Sequence, residues 1–146
     1  MDIRQSYREA MVRGASPVGL VVRLYEQMIE DLRQAAKAIV QNDVERRTKR
    51  INHAILVIGH LQSSLEFVNG GKVARDLSHF YDVLRQSLVQ AQFYPSKWRI
   101  TQQITDLLAV REAWMQVERA EKSFVTATAG ATGTPESDHA RKDWLG

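Results

Sequence analysis

Cysteine is absent from the 146-residue chain, which removes a disulfide framework, a thiolate metal site and a cysteine nucleophile together. Only 3 prolines and 8 glycines occur, too few for a turn-rich all-β domain or a low-complexity chain. Those few breakers are therefore informative. No apolar run approaches the ~20 residues that a membrane span needs, and Met1-Asp2-Ile3-Arg4 has no basic stretch leading into an apolar segment. A soluble, cytoplasmic chain with no membrane insertion is the expectation. A dominant charge sign is missing as well: 20 basic and 17 acidic residues leave a formal +3, which does not demand nucleic acid.

What is present is helical period. Apolar residues make up 44% of the chain, and its length fits one domain with one core. Leu20, Leu24, Met28, Leu32, Ala35 and Ile39 recur at steps of three and four, one face of a long helix. Ser16 is suited to cap it and Pro17 to open it, since the first turn needs no proline N–H. Asn42 with Glu45 fits a capping box for a second helix carrying Val44, Ile51, Ile55, Ile58, Leu61 and Leu65, stopped after Val68 by Asn69-Gly70-Gly71. A third runs from Lys72 to about Phe93 with Val73, Leu77, Phe80, Tyr81, Leu84, Leu88 and Ala91 inward, and Pro95 ends it. A fourth begins after Ser96, carries Ile100, Ile104, Leu107, Leu108, Trp114 and Val117, and fades near Ser123. Short links make sequential helices antiparallel neighbours, so the fold expected is an all-α, antiparallel, up-down four-helix bundle.

Residues 1–124 then form the domain, with 1–14 as an N-terminal cap. Ile3, Tyr7 and Met11 give that segment a short amphipathic face, but ~10 residues do not hold a helix in water without a surface to dock on. Residues 125–146 read as a flexible tail, because Thr126 to Pro135 is small and polar with no period.

Catalytic chemistry is hard to find. Asp76 and His79 match half of a di-iron carboxylate element, and its other half is missing. His53 and His60 are not at the spacing of a helical zinc pair, so structural or surface roles suit them. No phosphate loop, nucleophile elbow or clefted carboxylate pair occurs. The chain reads as no enzyme, with no cofactor and no metal. Arg46, Arg47, Lys49 and Arg50 lack interleaved aromatics and read as a solvated helix face, not a nucleic-acid site.

Three stripes are wider than one bundle seam requires, through the pairs Leu24-Tyr25, Phe80-Tyr81 and Leu107-Leu108. The extra width is either core or a groove for a partner helix.

Tyr7, Ala15-Ser16-Pro17, Leu20, Leu24-Tyr25-Glu26, Gly70-Gly71-Lys72-Val73-Ala74, Leu77, Tyr81-Asp82, Leu107-Leu108 and Arg111-Glu112-Ala113-Trp114, in this order, resemble the flagellar secretion chaperones called FliS. The resemblance implies a helical bundle that binds the disordered C-terminal segment of flagellin in apolar grooves, prevents premature polymerisation and delivers it to the type III export apparatus. It implies Ile3, Tyr7, Leu20, Leu24, Tyr25 and Tyr81 as partner-binding residues, and a monomer or weak homodimer. The link Phe93-Tyr94-Pro95-Ser96-Lys97-Trp98 departs from the family's usual polar turn. The other reading left open is a non-catalytic adaptor or structural subunit that binds a different partner helix.

Overall fold

A computed structural model describes residues 17–68 and 71–131, with side chains over 17–65 and 71–124. Four helices follow in chain order: α1 (Pro17–Val40), α2 (Val44–Val68), α3 (Lys72–Phe93) and α4 (Lys97–Ala131). No strand occurs among the described residues, and the architecture is the antiparallel bundle that the periodicity predicts. Ser16, the Ile3 to Val12 segment, Asn69-Gly70 and the tail beyond Ala131 lie outside the described residues.

The helix ends show how local chemistry sets the turns. At the end of α1 the Asp43 N–H donates to the Ala38 carbonyl at 2.8 Å and the Asn42 N–H to the Ile39 carbonyl at 3.2 Å. That is the Schellman pattern, and Asn42 supplies its left-handed residue at φ 55°, a conformation asparagine tolerates better than most side chains. The capping box expected from Asn42 and Glu45 is therefore not formed, and the cap moves on by one residue. Asp43 is the cap, its Oδ1 accepting the Arg46 N–H at 3.1 Å, because Asn42 is already committed to closing α1. Gly71 precedes α3 at φ 78°, where a Cβ would be strained. At the next corner Tyr94 N–H donates to the Gln90 carbonyl at 2.8 Å, Pro95 blocks continuation, and Ser96 Oγ accepts the Arg99 N–H at 3.3 Å to start α4.

α4 does not fade near Ser123 but continues to Ala131. The alanines at 127, 129 and 131 favour helix, and no proline intervenes before Pro135.

Packing is not symmetrical about the bundle. α1 lies close against both α2 and α4, and α2 against α3, whereas α3 and α4, although joined by a corner of only three residues, are not a closely packed pair. α1 is thus the central helix, and its broad inward face follows: Tyr25, Met28, Ile29, Leu32, Ala35 and Ala36 are all in the core. α2 contributes Ile51, Ala54, Val57, Ile58 and Leu61, α3 Tyr81, Leu84 and Leu88, and α4 Ile100, Leu107 and Trp114. Each large aliphatic side chain so enclosed stabilises the fold by about 1.5–3 kcal/mol. Val44, Val73 and Val117 were expected inward and are exposed. Val44 and Val73 lie in the first turn of their helices, and in each case the stripe continues past the point where a neighbouring helix covers it.

Candidate functional site

The bundle interior holds one polar chain of aromatic side chains. Tyr25 on α1 and Tyr81 on α3 are both enclosed, and their hydroxyls meet at 2.6 Å. The rings are tilted by 50° with centroids 6.3 Å apart. Phe80 lies tilted against Tyr81 with ring centroids 5.7 Å apart, and Trp114 on α4 lies near the Tyr25 hydroxyl. Two long phenols thus span the bundle between helices whose backbones are not closely packed, and each hydroxyl finds the partner that burial requires. Burial pushes the Tyr25 phenol up to about 12, partly offset by its hydrogen bond to Tyr81 and by the nearby Trp114. Tyr81 is raised as well, by burial first and then by its neighbour Tyr25. Neither group is poised for proton transfer near neutral pH.

Of the residues the sequence offered for partner binding, Tyr25 and Tyr81 are brought into contact, and Leu20 is buried one turn before Leu24, which is half-buried. Ile3 and Tyr7 lie outside the described residues. The over-wide stripes divide in a regular way. Within each pair one member is core, namely Tyr25, Tyr81 and Leu107, and the other, Leu24, Phe80 or Leu108, packs against the core yet stays part-exposed. Phe80 and Leu108 were not among the binding residues read from the sequence, although their pairing with a core residue was visible there. Ile104, Leu108 and Met115 continue the part-exposed stripe along α4.

A second polar cluster escaped the sequence reading. Asp31 is buried on α1 and accepts from Arg50 Nη1 at 3.3 Å and Gln27 Nε2 at 3.3 Å. His53 Nδ1 lies 2.5 Å from its other oxygen; a carboxylate oxygen only accepts, which places the hydrogen on Nδ1. The available signal was a charge set inside an apolar stripe, between Met28 and Leu32. This cluster also gives His53 its structural role as a tie between α2 and α1. His60 and His79 are exposed, and no group of three or more potential metal-ligating side chains forms among the described residues.

The basic run on α2 is not the free solvated face expected of it. Arg46 bonds Gln34, Arg47 donates to the Gln92 carbonyl at 3.2 Å, Lys49 pairs with Glu45 at 3.4 Å, and Arg50 holds Asp31. Arg46, Arg47 and Arg50 are used between helices because α2 lies between α1 and α3, while the Lys49 pair stays exposed on α2 itself. No helix of the described residues is long and apolar enough to cross a membrane.

The structure is an all-α four-helix bundle whose apolar stripes end in part-exposed rims. Residues 1–121 match the family described as flagellar protein FliS. The chain is 26% identical over 130 residues to the flagellar secretion chaperone FliS of Vibrio cholerae, covering 86% of this chain and 96% of that protein. It is 31% identical over 111 residues to the flagellar secretion chaperone FliS of Salmonella typhimurium, covering 75% and 82%. The Campylobacter jejuni flagellar secretion chaperone FliS matches at 30% over 106 residues, covering 73% and 83%. The chain belongs to the FliS family of flagellar secretion chaperones.

Proposed function

We propose that this chain is a cytoplasmic export chaperone that binds the disordered C-terminal segment of flagellin, keeps it from polymerising and delivers it to the flagellar type III export apparatus. The family match over residues 1–121 carries the reading. The part-exposed Leu24, Phe80 and Leu108 support it, since a client helix docks on apolar side chains that the chaperone's own core leaves incompletely covered.

In this reading Leu20, Leu24, Tyr25 and Tyr81, with Ile3 and Tyr7 from the N-terminal segment, form the client site. Leu24 and Phe80 touch the client, and the Tyr25–Tyr81 bond beneath them fixes the spacing of α1 and α3. The work is coupled folding and binding without turnover: apolar burial at about 25 cal/mol per Å² opposes the entropy the client loses on ordering. The free chaperone is a monomer or weak homodimer.

The test is titration calorimetry with a peptide of ~40 residues from the C-terminus of the host's flagellin. One-to-one binding with a negative heat-capacity change is expected, and circular dichroism of the mixture shows more helix than the separate parts. No heat and no added helix with a folded chaperone overturns the reading.

A further inference from the structure

The corner between α3 and α4 carries three aromatic side chains that the fold does not use. Phe93 is 74% exposed, Tyr94 79% and Trp98 69%. With a large aromatic side chain presenting 150–250 Å², the three offer about 350–550 Å² of accessible surface, a large part of the ~800 Å² that one side of a standard interface buries. Because successive helices are antiparallel, this corner lies at the same end of the bundle as the α1–α2 turn, where Val40 and Val44 are also exposed. Tyr25 is fifteen residues before the end of α1, so the corner sits ~22 Å along the bundle from the tyrosine pair at 1.5 Å per helical residue.

Charge at the corner is of one sign. From Val83 to Thr105 the chain contains no aspartate or glutamate. Lys97 and Arg99 flank Trp98, and neither side chain has an ion pair or hydrogen bond among the described residues, in contrast to the basic run on α2. The corner is also stiff. Pro95 fixes its backbone, Ser96 caps α4, the Tyr94 N–H is bonded, and Arg47 and Asn52 of α2 hold Gln92 one residue before Phe93. Exposed aromatics on a fixed backbone, beside unpaired cations, suit an interface, since aromatic side chains and Arg are enriched there and the backbone loses little freedom on contact.

We propose that the Phe93-Tyr94-Trp98 corner is a second docking surface, separate from the client site, that takes an acidic segment with apolar anchors from another protein. Two free cations hold a lipid surface or a nucleic-acid backbone weakly, but at a protein interface they select the sign of the partner's charge and orient it. Such a face leaves a chaperone able to engage a further protein while its client remains bound.

The probe is a fluorescent 18-residue helical peptide with leucines on one face and glutamates on the other, titrated by anisotropy into the full chain. Saturable binding is expected, at least tenfold tighter than that of the same peptide with lysines for glutamates. Trp98→Ser with Tyr94→Ser should weaken it more than tenfold. Lys97→Glu with Arg99→Glu should invert the preference toward the lysine peptide. The four side chains are exposed, so thermal unfolding should be unchanged, and the charge variant keeps the test independent of the aromatic one. The proposal is overturned if the peptide does not saturate or if both variants bind it as the parent does. It is equally overturned if vesicles of phosphatidylglycerol and phosphatidylcholine, or a single-stranded oligonucleotide, bind the corner more tightly than the acidic peptide. Flagellin-peptide binding should survive all four substitutions, so failure here leaves the client reading standing.

Discussion

The Tyr25 and Tyr81 hydroxyls, from residues 56 apart in the sequence, share a 2.6 Å hydrogen bond inside the bundle. Changing either one to phenylalanine leaves the other buried hydroxyl without this partner. An unsatisfied buried group costs about 1–3 kcal/mol. Urea unfolding should therefore show each single variant destabilised, and the double variant should cost less than the sum of the two. Additive losses would mean that the two hydroxyls are not coupled.

The same pair sets the alkaline limit of stability. An unfolded phenol titrates near 10.0 and Tyr25 in the fold at about 12, with Tyr81 raised too. Between those values the unfolded chain has released protons the native chain still holds. The stabilisation is complete below about pH 10 and is lost as pH rises through about 12, by up to about 1.4 kcal/mol per pH unit for each phenol. Unfolding free energies measured on either side of pH 10 should fall on the alkaline side, and Tyr81→Phe should flatten the slope. A slope untouched by that substitution would assign the effect to other groups.

Asp31 and Lys49 make a contrast between two ion pairs. Asp31→Ala leaves Arg50 and His53 without their buried acceptor. Breaking a buried pair costs about 3–5 kcal/mol, and the lower end applies because Arg50 and His53 retain access to water. Lys49→Ala removes a pair whose partners are 76% and 82% exposed, and should cost less than about 1 kcal/mol. Chemical denaturation of the two variants checks the ranking, and equal losses would refute it.

Trp114→Ala should cost about 3–5 kcal/mol, as for a large aromatic removed from a core. Removing residues 126–146 should instead leave the thermal midpoint within about 5 °C, on the order of 1 kcal/mol for a domain this size, because residues 119–124 of α4 are already exposed. A larger drop on truncation would show that the C-terminal residues pack on the bundle.

Period and punctuation made the bundle readable before its coordinates. Pro17, Gly71 and Pro95 fall where helices begin or break, since each restricts or frees φ in a way a helix end uses. The one-residue shift of the cap from Asn42 to Asp43 was not readable, because either residue can cap and only the left-handed Asn42 decides between them. Asp31 was missed for a different reason: a polar residue beside an apolar stripe is assigned outward unless its partners on another helix are known. The same limit applies to the site. The paired stripe residues were visible, but which member of each pair is core depends on α1 lying between α2 and α4, a fact of assembly rather than of any one helix.

That central position also bears on how the molecule is made. α1 leaves the ribosome early and can pair at once with α2, but the surface it offers to α4 waits for residues up to Trp114. At ~5–20 residues per second of synthesis, the delay between Val40 and Trp114 is on the order of 4 to 15 s. Over that interval the nascent chain carries an uncovered apolar helix face, which closes only when α4 has been made.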